Sequence, residues 1–187
     1  MRLFLAINLP SEIRREVSAA TAMVRAAASE LAWVDDERLH FTLKFLGEAS
    51  EERVPELQAS LAGVAGRHRE LVMSLGGVGA FPNFRRARVV WLGVSQEPRL
   101  ELLHHDVETS CERLGFEIEA RPFRPHVTLA RVKHAPGEER LRALARAAKQ
   151  TDYRTDFIVR SIDLMQSTPA GGALAYTTLV SAPLRSD

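Results

Sequence analysis

Along the first nine positions apolar residues alternate. Leu3, Leu5, Ile7 and Leu9 fall on one parity, and Arg2, Phe4, Ala6 and Asn8 on the other. A period of two with apolar residues on both parities predicts a strand covered on both faces. Pro10-Ser11 ends it and opens a helix in which Ile13, Val17, Ala20, Val24 and Ala27 recur at helical spacing. Trp33-Val34 reads as a short strand, Asp35-Asp36 as a turn, and Leu39 to Leu46 as a strong strand. Ser50 opens a second helix with Val54, Leu57, Leu61 and Val64 on one face. Strands near 70–78 and 87–94 follow, joined by a loop containing Phe81-Pro82-Asn83. A third helix carries Leu100, Leu103, Val107, Cys111 and Leu114, with Gly115 placed to close it. Strands near 116–120 and 126–132 come next, then a fourth helix after Pro136-Gly137 with Leu141, Leu144 and Ala148. The chain ends in a hairpin, 156–166 and 174–181, around Gly171-Gly172.

Short strands mixed with helices, without strict strand–helix alternation, predict an α+β fold. At 187 residues the chain has the length of one domain, and no Gly-, Ser- or Pro-rich linker divides it. It does carry a crude internal repeat: each half places a helix, one or two strands, a His-x-Thr-Leu strand and another helix in succession. The expected architecture over residues 1–187 is a single bilobal, duplicated domain. Two largely antiparallel sheets face a central cleft, with helices outside.

Composition narrows the function classes. Arg plus Lys is 25 and Asp plus Glu is 24, so any affinity for nucleic acid must come from a local patch rather than a global field. The single Cys111 excludes an intrachain disulfide and a Cys-rich zinc site. No apolar run approaches ~18 residues, the length a membrane helix needs. The opening MRLFLAINLPSEIRRE alternates and runs straight into charge, unlike a signal peptide. The expectation is a cytoplasmic protein without a membrane segment or cofactor.

The repeat carries the chemistry. His40-Phe41-Thr42-Leu43 and His126-Val127-Thr128-Leu129 lie 86 residues apart, both in strand-like sequence. Successive strand side chains point to opposite faces, so each motif presents an imidazole and a hydroxyl on one face, backed by an apolar face. Two imidazoles converging on one point suit displacement at phosphorus. One, neutral, takes a proton from the attacking oxygen, and the other, protonated, gives one to the leaving oxygen. Histidine, with an ordinary pKa of ~6.5, can fill both roles near neutral pH. The two hydroxyls can donate hydrogen bonds to the non-bridging phosphate oxygens. No metal is required.

HFTLKFLGE and FRPHVTLAR resemble the two signature strands of the 2H phosphoesterase superfamily. More narrowly, the chain resembles bacterial and archaeal RNA 2′,3′-cyclic phosphodiesterases, long called 2′-5′ RNA ligases. RLFLAINLP, FPNFRRARVVWLGV and the terminal spacing of Ser167, Tyr176 and Leu179 extend the resemblance over nearly the whole chain. It implies metal-independent opening of a 2′,3′-cyclic phosphate, on an RNA 3′ end or a nucleoside, to a 2′-phosphate. His40, Thr42, His126 and Thr128 match the family's catalytic positions, with His40 as proton donor and His126 as proton acceptor. Arg131 matches a phosphate-contacting arginine. Strict alternation would put Arg131 on the face opposite His126, so that role needs a twist, a bulge or a strand end.

Other residues are candidates on pattern alone. Arg124 is in register with His126 and can reach phosphate. Phe84, beside Arg85, Arg86 and Arg88, and Tyr176 can stack a base. Lys44 shares the expected strand face of His40 and Thr42. Trp33, Trp91 and Cys111 read as core, and His104-His105 as a solvated helix face. The same site can join a 5′-hydroxyl to a cyclic phosphate as a side activity. Alternative substrates are a 2′-5′ oligonucleotide or ADP-ribose cyclic phosphate, and a non-catalytic RNA-end binding module is the third reading. No obligate protein partner is implied.

Overall fold

The computed structural model describes residues 1–134, 136–170 and 173–186, without the side chain of Ala173. The strands are β1 (Arg2–Asn8), β2 (Ala32–Trp33), β3 (His40–Glu48), β4 (Leu71–Phe81), β5 (Val89–Val94), β6 (His126–Arg131), β7 (Arg154–Val159), β8 (Ser161–Ala170) and β9 (Ala173–Pro183). The helices are α1 (Ser11–Ala20), α2 (Ala22–Ala27), α3 (Val54–Ala65), α4 (Pro98–Arg113) and α5 (Glu138–Gln150).

All the strand pairings are antiparallel, in the order β7-β4-β5-β6-β3-β1-β8-β9, with β2 attached to β6. The expected two sheets are present as two halves, β7-β4-β5-β6 and β3-β1-β8-β9. They join edge to edge between the two motif strands through one residue pair, Phe41 opposite Val127. Each half inserts a helix before its motif strand and another after it, as the internal repeat implied.

One apolar layer runs beneath both halves. Leu3, Leu5, Ile7, Phe41, Leu43, Met73, Leu92, Val127, Leu129 and Leu164 meet Ile13 and Val17 of α1, Leu57 and Leu61 of α3, and Leu100, Leu103 and Val107 of α4. A second cluster packs Val24 of α2 and Leu144 and Ala147 of α5 against Val90 and Ala130. Each fully buried Leu or Phe in such a layer contributes ~1.5–3 kcal/mol by leaving water. The sheet face away from the helices holds a smaller patch, Phe4, Ala6 and Met165, and so β1 is apolar on both faces.

The expected strand at 116–120 does not form. Gly115 (φ 86°) closes the turn that follows α4, where the amides of Gly115 and Phe116 donate to the carbonyls of Glu112 and Cys111. Beyond it the chain is pinned by a buried ion pair rather than by a sheet ladder. Lys44 Nζ donates to Glu108 Oε2 (2.7 Å) and to the Glu117 carbonyl (2.7 Å), and the Glu119 amide donates to the same carboxylate. His104 is not on a solvated face either. It stacks on Phe123 at 3.8 Å and lies 3.7 Å from Glu108, so burial lowers its pKa. The segment leading to Arg124 and His126 is thereby fixed to α4 and β3. The expected terminal hairpin is β8–β9, with β7 a separate strand on β4; its Gly171-Gly172 turn lies outside the described residues.

Lys44→Met leaves the Glu108 carboxylate buried without its cation. Removing one partner of a buried pair costs about 3–5 kcal/mol. Urea denaturation should show a loss of that order, with most of it recovered in the Lys44→Met, Glu108→Leu double variant. A change below about 1 kcal/mol, the range of exposed pairs, would assign no structural weight to the ion pair.

Candidate active site

The seam decides where the motif side chains go. Phe41 and Val127 are fully buried in the helix-side core. Their chain neighbours must therefore turn to the other face. An antiparallel register centred on Phe41 and Val127 sets His40 across from Thr128 and Thr42 across from His126. Two imidazoles and two hydroxyls thus share one face at the seam, all four partly buried.

Both imidazoles are held in the same way. His40 Nδ1 lies 2.7 Å from the Arg38 carbonyl, and His126 Nδ1 lies 2.7 Å from the Arg124 carbonyl, in each case two residues upstream. A carbonyl only accepts, so Nδ1 must carry the proton and donate. That leaves Nε2 of each ring as the atom that can take or give a proton. Burial lowers the pKa of both histidines. The bonds to the carbonyls oppose the shift, and the Arg131 guanidinium adds to it at both rings. His126 further lowers His40.

Arg131 reaches this face because of a bulge. Along β5, Val90 faces Ala130 but Trp91 faces Thr128, so Leu129 is an extra residue in β6. One extra residue reverses the alternation beyond it. Leu129 and Ala130 are both buried, and the exposed Arg131 returns to the face of His126. β3 repeats the device. Along β1, Leu5 faces Lys44 but Ala6 faces Thr42, so Leu43 is the extra residue. Lys44 turns inward to Glu108, correcting the expectation that it shares the His40 face, and Phe45 takes the outward position.

Aromatic rings brace the histidines. Phe4 and Tyr176 lie 5.2 Å from His40, Tyr176 edge-on, and Phe4 also packs on Tyr176 at 5.3 Å. Phe81 stands edge-on to His126 at 5.0 Å. Trp91, expected in the core, pairs with Thr128 on the site face. Its ring fits over Gly79, where an added Cβ would sit 2.2 Å from the indole. Asn8, paired with His40, donates to the buried Asp163 (2.7 Å).

Of the sequence candidates, His40, Thr42, His126, Thr128, Arg131 and Tyr176 come together. Arg124 supplies its carbonyl, and its side chain is exposed. Phe84 does not join them: its ring packs on the Val24–Leu144 cluster, and Phe81 stands beside His126 instead. Phe4, Phe45, Phe81 and Asn8 were missed. Phe4 and Asn8 had a signal, their shared place on the opposite parity from Leu3 and Leu5. Among the described residues no group of three or more His, Cys, Asp or Glu side chains is placed to hold a metal ion, and no helix is long and apolar enough to cross a membrane.

A duplicated α+β fold with matched His-x-Thr strands at its seam defines the class, and comparison with known proteins places the chain within it. Residues 9–170 match the family model of the 2′-5′ RNA ligase superfamily, and the chain belongs to that superfamily. A protein of Geobacillus stearothermophilus named RNA 2′,3′-cyclic phosphodiesterase is 33% identical over 96% of this chain. The aligned region is 58% of that protein's length. A protein of the same name from Methanothermobacter thermautotrophicus is 31% identical over 91% of this chain and 93% of its own. Among solved structures, TT0787 of Thermus thermophilus superposes with a TM-score of 0.81 at 28% identity, each chain covered in full. E. coli LigT complexed with 3′-AMP superposes with 0.72 at 32% identity, over 98% of this chain and 97% of that one.

The Arg131 charge depresses both imidazoles, so Arg131→Met should raise both pKa values. An NMR titration of the His40 and His126 Cε1–H signals in the free protein should show both midpoints moving up in the variant. Unmoved midpoints would place the guanidinium away from the rings.

Proposed function

We propose that this chain hydrolyses 2′,3′-cyclic phosphates, on RNA 3′ ends or nucleosides, to 2′-phosphates by metal-independent acid–base catalysis between His40 and His126. The coarse part, an enzyme that hydrolyses phosphodiester bonds, follows from the superfamily and from relatives named for that activity. The observation that carries the finer part is the matched pair of Nδ1–carbonyl bonds, which leaves two Nε2 atoms beside two hydroxyls on one face.

In this reading His126 Nε2 accepts a proton from water as the water oxygen attacks phosphorus. The P–O3′ bond breaks on the opposite side, and His40 Nε2 gives its proton to the departing O3′. The phosphate stays on O2′, and the histidines end with their protonation exchanged. Thr42 and Thr128 donate to non-bridging oxygens. Arg131 neutralises the charge gathering there, which a guanidinium does well because it donates two parallel hydrogen bonds. Tyr176 contacts the nucleoside beside His40, and Arg124 reaches the phosphate of a longer strand. With a 5′-hydroxyl in place of water, the same proton transfers form a 2′-5′ link, a side activity. The two halves act as pseudo-symmetric lobes of one domain. The setting is the cytoplasm, where the single thiol, buried Cys111, stays reduced.

An oligonucleotide ending in a 2′,3′-cyclic phosphate should be opened at an unchanged rate in excess chelator, with product mapping giving the 2′-phosphate. Complete loss, restored by one divalent ion, would overturn the mechanism.

His40→Ala and His126→Ala should each lower turnover by about 10²–10⁴, the usual worth of a positioned acid or base. Thr42→Ala and Thr128→Ala should cost less. A substrate with sulfur for the 3′-oxygen, whose thiolate leaves without a proton, should rescue His40→Ala and barely help His126→Ala. The reverse pattern would exchange the two roles. Near wild-type turnover in either histidine variant would end the two-histidine scheme.

A further inference from the structure

A second cleft lies far from the histidines. It has a volume of about 270 Å³, and its walls include Arg67, Arg69, Arg99 and Arg185 together with Leu71 and Leu102; among the described residues no carboxylate lines it. β4 connects the two places: Leu71 opens the strand at the cleft, and Phe81 ends it beside His126, ~33 Å of strand away at ~3.3 Å per residue. The four arginines come from three separate stretches of chain. Arg67 and Arg69 sit between α3 and β4, Arg99 in the first turn of α4, and Arg185 just after β9. Arg69 and Arg185 are paired in a parallel bridge, with the Glu70 amide donating to the Arg185 carbonyl and the Arg185 amide to that of His68. Residues paired in this way extend their side chains to the same side, so two cations stand abreast. Arg99 joins them and donates from Nη2 to the Glu70 carbonyl (2.9 Å). α4 offers a side chain here and not a free N-terminus, because the Glu97 carboxylate already takes the Arg99 amide. Arg67 and His68 share the Asp106 carboxylate at 3.6 and 2.8 Å. Among the described residues no carboxylate pairs with Arg99 or Arg185.

We propose that this cleft is a second ligand site and takes an organic diphosphate, with its phosphates on Arg99 and Arg185, flanked by Arg67 and Arg69, and its apolar part against Leu102. None of these residues takes part in the reaction proposed above. A guanidinium carries five N–H donors in a fixed fork that matches phosphate oxygens two at a time, and Arg99 uses one of them on a carbonyl. Size argues against a lone phosphate. A water molecule's share of volume is ~30 Å³, so a single phosphate leaves most of the cleft filled with water. Two linked phosphates can bridge arginines that reach in from different stretches of chain, and they bring more negative charge than a dicarboxylate of similar length. Leu102 supplies the remaining character. It is 57% exposed and lies three residues after Arg99, on the same side of α4. An inorganic ion leaves that apolar wall unused, and an organic group attached to the diphosphate covers it.

The test is an amide NMR titration of the full chain with ADP, pyrophosphate, inorganic phosphate and succinate in turn. Anions are also drawn to Arg131, so the amides of His68, Arg99 and Leu102 are read separately from those of His126 and Thr128. ADP should move the cleft amides saturably, with a Kd about 10-fold or more below that of inorganic phosphate, the worth of one further charge-assisted contact. Pyrophosphate should fall between the two, and succinate should bind more weakly than pyrophosphate. Arg99→Gln with Arg185→Gln should weaken ADP at the cleft by about 10- to 100-fold for each guanidinium removed, while the shifts at His126 and Thr128 stay as in wild type. Leu102→Ser should weaken ADP and leave pyrophosphate unchanged. Matching urea midpoints show that the double variant is folded; if they differ, each single variant is titrated in its place. No saturable movement of the cleft amides, ADP no tighter than inorganic phosphate, succinate equal to pyrophosphate, or undiminished affinity in the arginine variants would overturn the proposal. Unchanged ADP binding in Leu102→Ser would overturn its organic part.

Discussion

Phe41 and Val127 meet at the seam, and their contact governs where every motif side chain points. Two sheet halves touch through this one pair, and both side chains are committed to the common core. Once they point inward, pleating forces His40, Thr42, His126 and Thr128 outward together. The four polar groups are set by β3 and β6, the two strands that meet in the middle of the sheet. In the reaction proposed above, rigid placement matters because displacement at phosphorus needs the reacting groups held in line.

A second layer of control lies in the two bulges. Each inserts a buried leucine after the motif threonine and so reverses which residues face the site. The reversal brings Arg131 and Phe45 out and sends Ala130 and Lys44 in. The inward Lys44 then holds Glu108, Glu117 and, through Glu108, the Glu119 amide, fixing the segment that delivers Arg124 and His126. One local irregularity in β3 thus supports the opposite half of the site. The short contact from each histidine to the carbonyl two residues upstream completes the arrangement and fixes which ring nitrogen is free.

Much of this was legible in the sequence. The paired motifs, the α+β order of elements, the helical faces and the Gly115 stop all followed from periodicity and turn chemistry. What periodicity misjudged is instructive. Leu43-Lys44-Phe45-Leu46 reads as strict alternation with Lys44 on the site face, and the bulge inverts that pattern. Phe116 and Ile118 alternate like a strand, but the Glu117 carbonyl is bound by Lys44 and the Glu119 amide by Glu108 instead of by a neighbouring strand, and Ile118 stays exposed. Phe84 and Phe81 are three residues apart, and only the packing of the intervening turn against α2 and α5 decides which ring meets His126. Each miss comes from a tertiary contact overriding a local pattern.

In the proposed reaction the two Nε2 atoms flank one phosphorus on opposite sides. A crystal structure with a nucleoside 2′,3′-cyclic vanadate, a trigonal-bipyramidal mimic of the displacement, addresses it directly. His126 Nε2 should lie within hydrogen-bond distance of the apical oxygen that stands for water, and His40 Nε2 within the same distance of the apical O3′. Both Nδ1 atoms should still be bound to the carbonyls of Arg38 and Arg124. Both imidazoles on one apical oxygen, or one of them contacting only equatorial oxygens, would contradict it.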